Sequence, residues 1–494
     1  MKNLIYLFTL LVVTILLVNC KKEDPAIVKS PVVVKPDPVV IPDANPINKF
    51  VYNGLKDYYL WVDYVPSFTD KKYLTKDSLN FFLNKYSDPA ALFKGLLYPS
   101  LDKWSFIVDD SQTITDWIQG ISETMGYDFK LGYIGSTNDL FGFVRYVYKG
   151  SPAEKAGMKR GDLFMKIDDT QLTVSNYQTL LNTKITYKIS FAGLAGNIIS
   201  LNGKTATMTA IKMQENPILL DTILNVNSLK VGYLVYNAFN ADFDLQLNDV
   251  FGKFKSAGID KLVLDLRYNG GGSVQSAVYL ASMIYGTSKT KAFLKRQYNT
   301  GLQDYFISTQ GAASLSQTFT DEITTSTPKA MINTLNLTKL YVITSSNSAS
   351  ASELLINGLE PYLDVVNIGW NTAGKYVASA TIKDWDANGA VNPNHKWAMQ
   401  PIIVKTTNSL GISDFVNGLI PDISIKEDIA NLLPFGDQNE TLLKSVISNL
   451  KGATLAPVES KSAKIGWVDV YDSQDHKPFA KQMYIAPLLD IHKN

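Results

Sequence analysis

The sequence predicts a multidomain α/β protein, and three observations support this fold class. The chain has 494 residues, of which 46% are hydrophobic and 19% charged, an ordinary globular composition with enough length for several domains. Residues 47–121 carry aromatic residues at helical spacing, whereas residues 122–213 alternate polar and apolar residues as strands do. From Gln214 onward, strand patterns alternate with helical ones, which favours a largely parallel sheet.

Composition limits the chemistry that the chain can perform. The formal net charge is +1 and the charged residues are scattered, so we expect no nucleic-acid partner. The sequence has three histidines and one cysteine, Cys20, which excludes intrachain disulfides and a cysteine-rich metal site. We therefore expect catalysis without cysteine, and no metal ion or other cofactor is implied.

Residues 1–19 predict a secretory signal of the lipoprotein type. A basic Lys2 precedes an apolar run ending in LVNC, and polar KKED follows at once, which is typical of a cleaved signal rather than a membrane span. The pattern resembles a bacterial lipoprotein signal, which implies cleavage before Cys20 and lipid attachment to that residue. We expect a lipid-anchored protein of the bacterial cell envelope; the sequence does not determine which membrane face the protein occupies. The alternative is a simple secretory signal or a short membrane anchor.

Residues 20–46 predict an extended tether, and residues 47–121 a small helical domain. The tether contains six prolines among valines and lysines, a composition that favours polyproline II over a packed core. The helical domain is predicted from the segments FVYNGLKDYYLWVDYV, DSLNFFLNKY and ALFKGLL, which polar or proline-containing breaks separate. We interpret its Trp61 and Trp104 as core residues.

Residues 122–213 resemble a PDZ domain. A strand pattern, FGFVRYVYKG, leads into a short helix closed by glycine, SPAEKAGMKRGD, and then into a second strand, LFMKIDDTQL. PDZ domains take an extended peptide as an added strand, commonly with its terminal carboxylate held by backbone N–H groups, so the resemblance implies protein or peptide partners. A β-rich spacer without a ligand is the alternative. The match rests on Gly150, Ser151, Pro152, Ala153, Ala156, Gly157, Gly161 and Asp162.

Three turns that follow predicted strands stand out in residues 214–453. KLVLDLRYNGGGS leads into Gly270–Gly272 and a helix, and LYVITSSNSASASELLINGL leads through alternating serines into another helix. VVNIGWNTAGKYVAS leads into a turn that contains Lys375. Because turns after the carboxyl ends of strands lie on one edge of a right-handed βαβ sheet, we expect these three turns to converge.

Each turn also has a purely structural interpretation. Ser350 and Glu353 fit a capping box at a helix start, and the glycines fit a tight turn. GWNTAGKY approaches the phosphate-binding loop GxxxxGK[ST], but Tyr376 stands where that loop needs a serine or threonine for magnesium. The local patterns reject the phosphate loop and leave capping and catalysis open for Ser350.

Taken together, the motifs resemble those of the C-terminal processing (tail-specific) serine peptidases. LDLRYNGGG, SASASE and GWNTAGK follow one another downstream of the PDZ-like region, and the resemblance extends to GLIPDISI at residues 418–425. It implies a crotonase-like, ClpP-like α/β core with Ser350 as nucleophile and Lys375, 25 residues later, as its base. The N-terminal helical domain resembles that of Bacteroidetes-type members.

The implied activity is that of a membrane-anchored endopeptidase that cleaves unstructured, in particular C-terminal, protein segments through an acyl-enzyme. The resemblance implies an oxyanion hole formed by the N–H of Ala351 and one from Gly271 or Gly272. Substrates would be engaged through the PDZ-like domain. The alternative is a catalytically inactive peptide- or ligand-binding member of the same fold, against which the intact Ser350 and Lys375 argue.

Two positions depart from the family pattern. Trp370 replaces the acid of GExT, and Ser379 stands four residues after the lysine, where some members have an orienting glutamine. To act near neutrality, Lys375 needs a pKa about three units below 10.4, a cost of roughly 4 kcal/mol that burial can impose. The sequence leaves open which residue orients Lys375 and whether the extension at residues 454–494 joins the core.

Overall fold

The structure is a computed structural model that describes residues 40–73, 75–196, 198–325, 329–386, 388–428, 431–452, 468–477 and 479–488. The predicted signal, Cys20 and most of the predicted tether lie outside these residues. Within the described part of the chain, no helix is both long and apolar enough to cross a membrane.

The N-terminal region is helical, as predicted. Two of its helices start with a proline, which has no N–H, after a residue whose side chain accepts free N–H groups of the first turn. Asn45 accepts the Ile47 N–H, and Asp88 accepts the N–H groups of Ala90 and Ala91. The helices are Pro46–Tyr58, Pro66–Thr69, Lys76–Leu83, Pro89–Gly95 and Gln112–Ile118, with 3-10 turns at Val62–Tyr64 and Lys71–Tyr73.

The PDZ-like region is an antiparallel sheet with two short helices, Pro152–Lys155 and Tyr177–Asn182. Its outermost strand, Asp469–Asp472, comes from the C-terminal part of the chain and pairs antiparallel with Tyr127–Tyr133. The order across the sheet is Asp469–Asp472, Tyr127–Tyr133, Leu140–Val147, Leu163–Ile167, Thr186–Ala195 and Ile198–Thr209, with Thr170–Gln171 paired to Leu163–Ile167.

The core predicted for residues 214–453 is built on a mainly parallel sheet, which confirms the predicted α/β class. Successive residues of a strand point to opposite faces, so Leu262 and Leu264 pack under one layer of helices while Val263 packs under helix Thr441–Leu450. The opposite layer contains Asp244–Ala257, Val274–Ile284 and Ala351–Leu359. The strand order is Ile218–Val226, Leu229–Tyr236, Lys261–Asp265, Lys339–Thr344, Asp364–Gly369 and Ile423–Ser424, with only the first pair antiparallel.

A second sheet joins the C-terminal part of the chain to the core. Met483–Tyr484 pairs in parallel with Gly272–Ser273 on one side and with Val377–Ser379 on the other. The order is Gly272–Ser273, Met483–Tyr484, Val377–Ser379, Ile402–Thr407, Ala292–Tyr298 and Ser316–Thr318. One further sheet has three strands in the order Phe106–Val108, Ala398–Gln400 and Ile382–Lys383. Two others have two strands each, Ile121–Thr124 with Ile211–Gln214 and Glu322–Ile323 with Ala330–Met331. The structure also contains helix Thr300–Gln310 and the 3-10 turns Ala241–Phe243 and Ala312–Leu315.

Three neighbouring parallel strands position the three predicted turns. Lys261–Asp265 leads into the glycine turn, Lys339–Thr344 into the serine loop, and Asp364–Gly369 into the loop of Lys375. Because the strands are adjacent and parallel, their carboxyl ends lie at one edge of the sheet.

Candidate active site

Ser350 lies on a strained turn between strand Lys339–Thr344 and helix Ala351–Leu359, for which it is the N-cap residue. Its backbone has φ 65° and ψ −111°, a conformation that costs a residue with a side chain about 1–3 kcal/mol and is typical of functional sites. A strained strand-to-helix turn is also how nucleophile elbows present a serine. The side chain is fully buried, and its Oγ has no hydrogen-bond partner among the described residues.

Only one half of the predicted capping box holds the helix start. The carboxylate of Glu353 accepts the N–H of Ser350 at 2.6 Å. A capping serine would also accept a backbone N–H of the first turn through Oγ, but the Oγ of Ser350 makes no such bond. The hydroxyl is therefore not used for capping.

The carboxylate of Glu353 joins the serine loop to the lysine loop. Its Oε2 accepts the N–H groups of Ser350 and Lys375 at 2.6 and 2.9 Å. Its Oε1 accepts the N–H of Gly374 and the hydroxyl of Thr372, both at 2.6 Å. Burial raises the pKa of Glu353, and the hydrogen bonds oppose that shift. Because a buried carboxylate is stable only when its oxygens are bonded, this arrangement fixes the two loops relative to each other.

Lys375 is completely buried and forms no ion pair with any described residue. Its Nζ donates a hydrogen bond to Oε1 of Gln482 and lies 4.8 Å from the ring centroid of Trp104. Burial lowers the pKa of Lys375 well below its ordinary value, while the charges of Asp102 and Glu353 act in the opposite direction. The environment thus favours the neutral amine, which is the form that can accept a proton.

Gln482 and Trp104 are contacts of Lys375 that the sequence did not predict. The Nε2 of Gln482 donates to the carbonyl oxygen of Trp104 at 3.0 Å, so both ends of the amide are bonded. Trp104 packs against the core, as interpreted from the sequence, and it also covers the lysine. Gln482 is 107 residues from Lys375, so no local pattern relates them.

The glycine turn lies directly against Ser350. A Cβ added to Gly271 would be 2.7 Å from the Cβ of Ser350, and one added to Gly272 would be 2.2 Å from the carbonyl oxygen of Phe239. Both glycines have positive φ, 110° and 133°, so a side chain is excluded by conformation and by space. The N–H of Gly271 donates to Oδ1 of Asn269 at 2.9 Å. The structure thus brings Gly271 to Ser350 and turns Gly272 towards Phe239.

Ala351 occupies the first position of the helix that follows Ser350. The first N–H groups of a helix have no acceptor inside the helix, and the helix dipole makes this end attractive to negative charge. The predicted oxyanion residues Ala351 and Gly271 are therefore both neighbours of Ser350, Ala351 in sequence and Gly271 in space.

A cavity of about 1030 Å³ lies between the PDZ-like region and the glycine turn. Its lining includes Gly270–Gly272 and Gln482 from the core and Tyr127 and Phe129 from the PDZ-like region. Ser350 is closed off from this cavity, since its side chain is fully buried. Among the residues that the structure describes, no group of His, Cys, Asp and Glu side chains is arranged to hold a metal ion.

Comparison with known proteins finds three family models that match successive regions of the chain. Residues 46–106 match the peptidase S41 N-terminal domain, residues 143–189 match a PDZ domain, and residues 230–424 match peptidase family S41. These matches correspond to the helical region, the PDZ-like sheet and the α/β core described above.

Two curated relatives are described as a C-terminal processing peptidase and as a CtpA-like serine protease. The chloroplastic C-terminal processing peptidase of Tetradesmus obliquus is 24% identical over 292 residues, which cover 57% of this chain and 56% of that protein. A CtpA-like serine protease of Staphylococcus aureus is 25% identical over 256 residues, which cover 50% of this chain and 45% of that protein. The chain therefore spans about half the length of the curated relatives it matches.

A solved structure supports the same assignment across a larger part of the chain. A protein from Bacteroides fragilis described as an S41 protease shares 26% sequence identity with a TM-score of 0.65, covering 85% of this chain and 100% of its own. With the N-terminal domain, the PDZ domain and the α/β core all matched in order, the chain belongs to peptidase family S41.

Proposed function

We propose that this protein is a serine endopeptidase of the C-terminal processing type, which cleaves unstructured protein segments with Ser350 as nucleophile and Lys375 as general base. The observation that carries the proposal is the carboxylate of Glu353, which binds the backbone N–H groups of both residues. Membership of family S41 supports peptidase chemistry, the name of the Tetradesmus obliquus relative supports C-terminal processing, and that of the Staphylococcus aureus relative supports a serine nucleophile.

In the proposed reaction, neutral Lys375 takes the proton of Ser350 as Oγ attacks the scissile carbonyl carbon. The developing oxyanion is stabilised at the start of the helix by the N–H of Ala351, together with the N–H of Gly272, or with that of Gly271 once it is released from Oδ1 of Asn269. The protonated lysine then gives its proton to the leaving amine, which leaves an acyl-enzyme. Water attacks the ester in the second half, and Lys375 again accepts and returns the proton.

The surroundings of the histidines support lysine as the base. His395 contacts Asp384 at 3.1 Å, and His476 stacks on Tyr471 with ring centroids 4.2 Å apart. Neither of these two histidines contacts Ser350. A serine hydroxyl needs an adjacent base. Oγ of Ser350 makes no hydrogen bond to Nζ of Lys375 in this structure either, but Glu353 binds the backbone N–H groups of both residues and so holds the lysine loop beside the serine loop.

We propose that substrate polypeptides reach Ser350 through the cavity beside the glycine turn. Tyr127 and Phe129 of the PDZ-like region and Tyr471 of the C-terminal strand form part of its lining, so this side of the cavity is apolar. The PDZ match supports peptide binding by this region. Because Gly271 lines the cavity and lies against Ser350, the scissile bond would enter as the glycine turn moves aside.

We also propose that the protein is anchored to the bacterial cell envelope by lipid on Cys20. The support is the signal pattern of residues 1–19 and the proline-rich composition of residues 20–46, which gives the folded part reach from the membrane surface.

The peptidase proposal is tested by labelling and cleavage with the full chain in detergent. A fluorophosphonate probe should label Ser350, located by mass spectrometry, and unstructured peptides should be cleaved in the presence of a chelator. Ser350→Ala should abolish both signals. Cleavage that survives this substitution, or that the chelator removes, would contradict the Ser–Lys assignment. A wild-type protein that is neither labelled nor active would favour the binding-protein alternative.

A further inference from the structure

The side chain that contacts the amine of Lys375 comes from the C-terminal end of the described chain. Gln482 accepts a hydrogen bond from Nζ through Oε1. Ser379, four residues after the lysine, is engaged elsewhere: its hydroxyl donates to the carbonyl of Met483 at 3.1 Å and accepts from Nε2 of Gln400 at 3.1 Å. Gln482 therefore supplies the polar contact that the lysine loop itself does not.

The amide of Gln482 suits a base that must stay neutral. A carboxylate in this position would favour the charged amine, whereas an amide oxygen accepts an N–H without adding a charge. The bond from Nε2 to the carbonyl of Trp104 fixes the amide so that Oε1, and not Nε2, faces Lys375. An amine with one N–H held in this way has its lone pair restricted to the remaining directions.

We propose that Gln482 is the positioning residue of Lys375. We propose further that residues 468–477 and 479–488, here called the C-terminal segment, hold Gln482 in place because their strand Asp469–Asp472 occupies the peptide groove of the chain's own PDZ domain. This inference rests on the proposed Ser–Lys function and adds to it the residue that orients the base.

The groove is filled by strand Asp469–Asp472, which adds antiparallel to the edge strand Tyr127–Tyr133. A PDZ domain takes its peptide ligand in this manner. The side chain of Tyr471 lies between that edge strand and the helix Tyr177–Asn182. Its ring centroid is 5.7 Å from that of Phe129 and 5.2 Å from that of Tyr177. It is 6% exposed, as a bound ligand side chain would be.

A continuous set of polar contacts connects the groove to the serine loop. The carboxylate of Asp472 accepts from both terminal nitrogens of Arg145, at 2.9 and 2.5 Å, and from Nδ2 of Asn347 at 2.9 Å. Arg145 lies in the PDZ-like sheet, and Asn347 stands three residues before Ser350. The guanidinium keeps the pKa of the Asp472 carboxyl well below its usual range, so the contact is an ion pair.

The contacts continue from the serine loop to the lysine. Nε2 of Gln474 donates to the carbonyl of Tyr268 at 3.1 Å, just before the glycine turn. Strand Met483–Tyr484 then pairs with Gly272–Ser273, which places Gln482 at the edge of that turn. Displacing strand Asp469–Asp472 would loosen this path, so a peptide that competes for the groove should inhibit cleavage rather than activate it.

The positioning role is tested with substitutions of Gln482 in the full chain, assayed by peptide hydrolysis across pH. Gln482→Met keeps the length but removes the acceptor, and it should lower kcat at least about tenfold with KM nearly unchanged. Gln482→Glu should move the pH of half-maximal activity up by about one unit or more, because a carboxylate favours the charged lysine. The control is Gln171→Met, which removes a glutamine whose amide donates to the carbonyls of Leu140 and Leu172, and it should change neither kcat nor the pH of half-maximal activity.

The groove is tested with Tyr471→Ala and Tyr177→Ala, which remove the two sides of one aromatic contact. Both should speed hydrogen–deuterium exchange in residues 479–488 and lower kcat. Ile198→Ala, on the opposite edge strand, should change neither the exchange nor kcat.

A synthetic peptide VDVYDSQ, copying residues 468–474, should inhibit the wild-type protein. Because the groove is occupied, peptides with a free or an amidated C-terminus should be cleaved at similar rates.

The outcomes separate this inference from the proposed function. A Gln482→Met variant with the kcat and the pH profile of the wild type would overturn the positioning role and leave the proposed peptidase function intact. Increased activity in Gln482→Met or Tyr471→Ala would overturn it too, since the segment would then be an inhibitory cover. Faster exchange without a change in kcat in Tyr471→Ala would overturn the role of the groove. An inert wild-type protein would remove the proposed function and this inference together.

Discussion

The ring centroid of Trp104 lies 4.8 Å from Nζ of Lys375. An aromatic face attracts a cation and so favours the charged lysine, yet the pKa of Lys375 is well below its ordinary value because burial has the larger effect. Trp104 belongs to the N-terminal region, and Asp102 fixes its backbone by accepting the Trp104 N–H at 2.9 Å. The N-terminal domain therefore forms part of the proposed active site.

Cleavage should rise with pH through the lowered pKa of Lys375, because only the neutral amine can take the proton of Ser350. The measurement is kcat/KM over a wide pH range. Lys375→Arg should be inactive throughout, since a guanidinium stays charged at any usable pH. A rate that stays constant down to acidic pH, or an active arginine variant, would rule out lysine as the base.

Lys375→Met should raise the free energy of unfolding at neutral and lower pH. The unfolded lysine binds a proton up to about pH 10.4, whereas the buried one releases it at lower pH, so the unfolded state holds more protons between these values. The wild-type free energy of unfolding should therefore rise with pH in that window, and the variant should lack this slope. Denaturant unfolding at several pH values measures both, with the exposed Lys155→Met as a control that should behave like wild type.

Three serine substitutions should separate catalysis from packing. Ser350→Ala should lower activity at least about 10³-fold while leaving stability within about 0.5 kcal/mol, since its Oγ makes no hydrogen bond. Ser348 and Ser352 donate to the carbonyls of Leu266 and Asn269, at 2.8 and 3.0 Å. Their alanine variants should each lose about 1 kcal/mol of stability and keep substantial activity. An inactive Ser348→Ala that folds normally would point to a different nucleophile.

Glu353→Gln should weaken both folding and catalysis. An amide has one oxygen where the carboxylate accepts four donated hydrogen bonds, so buried donors lose their acceptor and stability should fall by about 3 kcal/mol or more. The matched control is Glu360→Gln, an exposed residue that follows the same helix, which should have little effect. Equal melting temperatures and activities for the two variants would show that Glu353 does not fix the loops.

Replacing Cys20 by alanine should release the protein from membranes, because the proposed lipid is attached to that residue and the sequence has no other cysteine. The measurement is the distribution of full-length protein between membrane and soluble fractions after washing without detergent, with Ser350→Ala as a control that should stay bound. A Cys20→Ala variant that remains in the membrane fraction would contradict the lipid anchor.

Much of the fold was predictable because its signals are local. The apolar strands, the glycine turn and the serine loop each occupy about twenty residues or fewer, within which periodicity and turn residues act directly. The capping-box pattern correctly predicted the bond from the Ser350 N–H to Glu353. It did not predict the bonds that Glu353 accepts from the lysine loop, because these depend on how two neighbouring strands place their turns.

By itself, the sequence determined which elements form and that Ser350 and Lys375 lie in turns at one edge of a parallel sheet. Only the tertiary structure decided what surrounds the lysine and what fills the peptide groove. Gln482 and Trp104 are 378 residues apart, and Tyr471 enters the groove from the opposite end of the chain. Contacts of this kind have no period or local pattern; they arise when the packing of whole domains brings distant residues together and buries them.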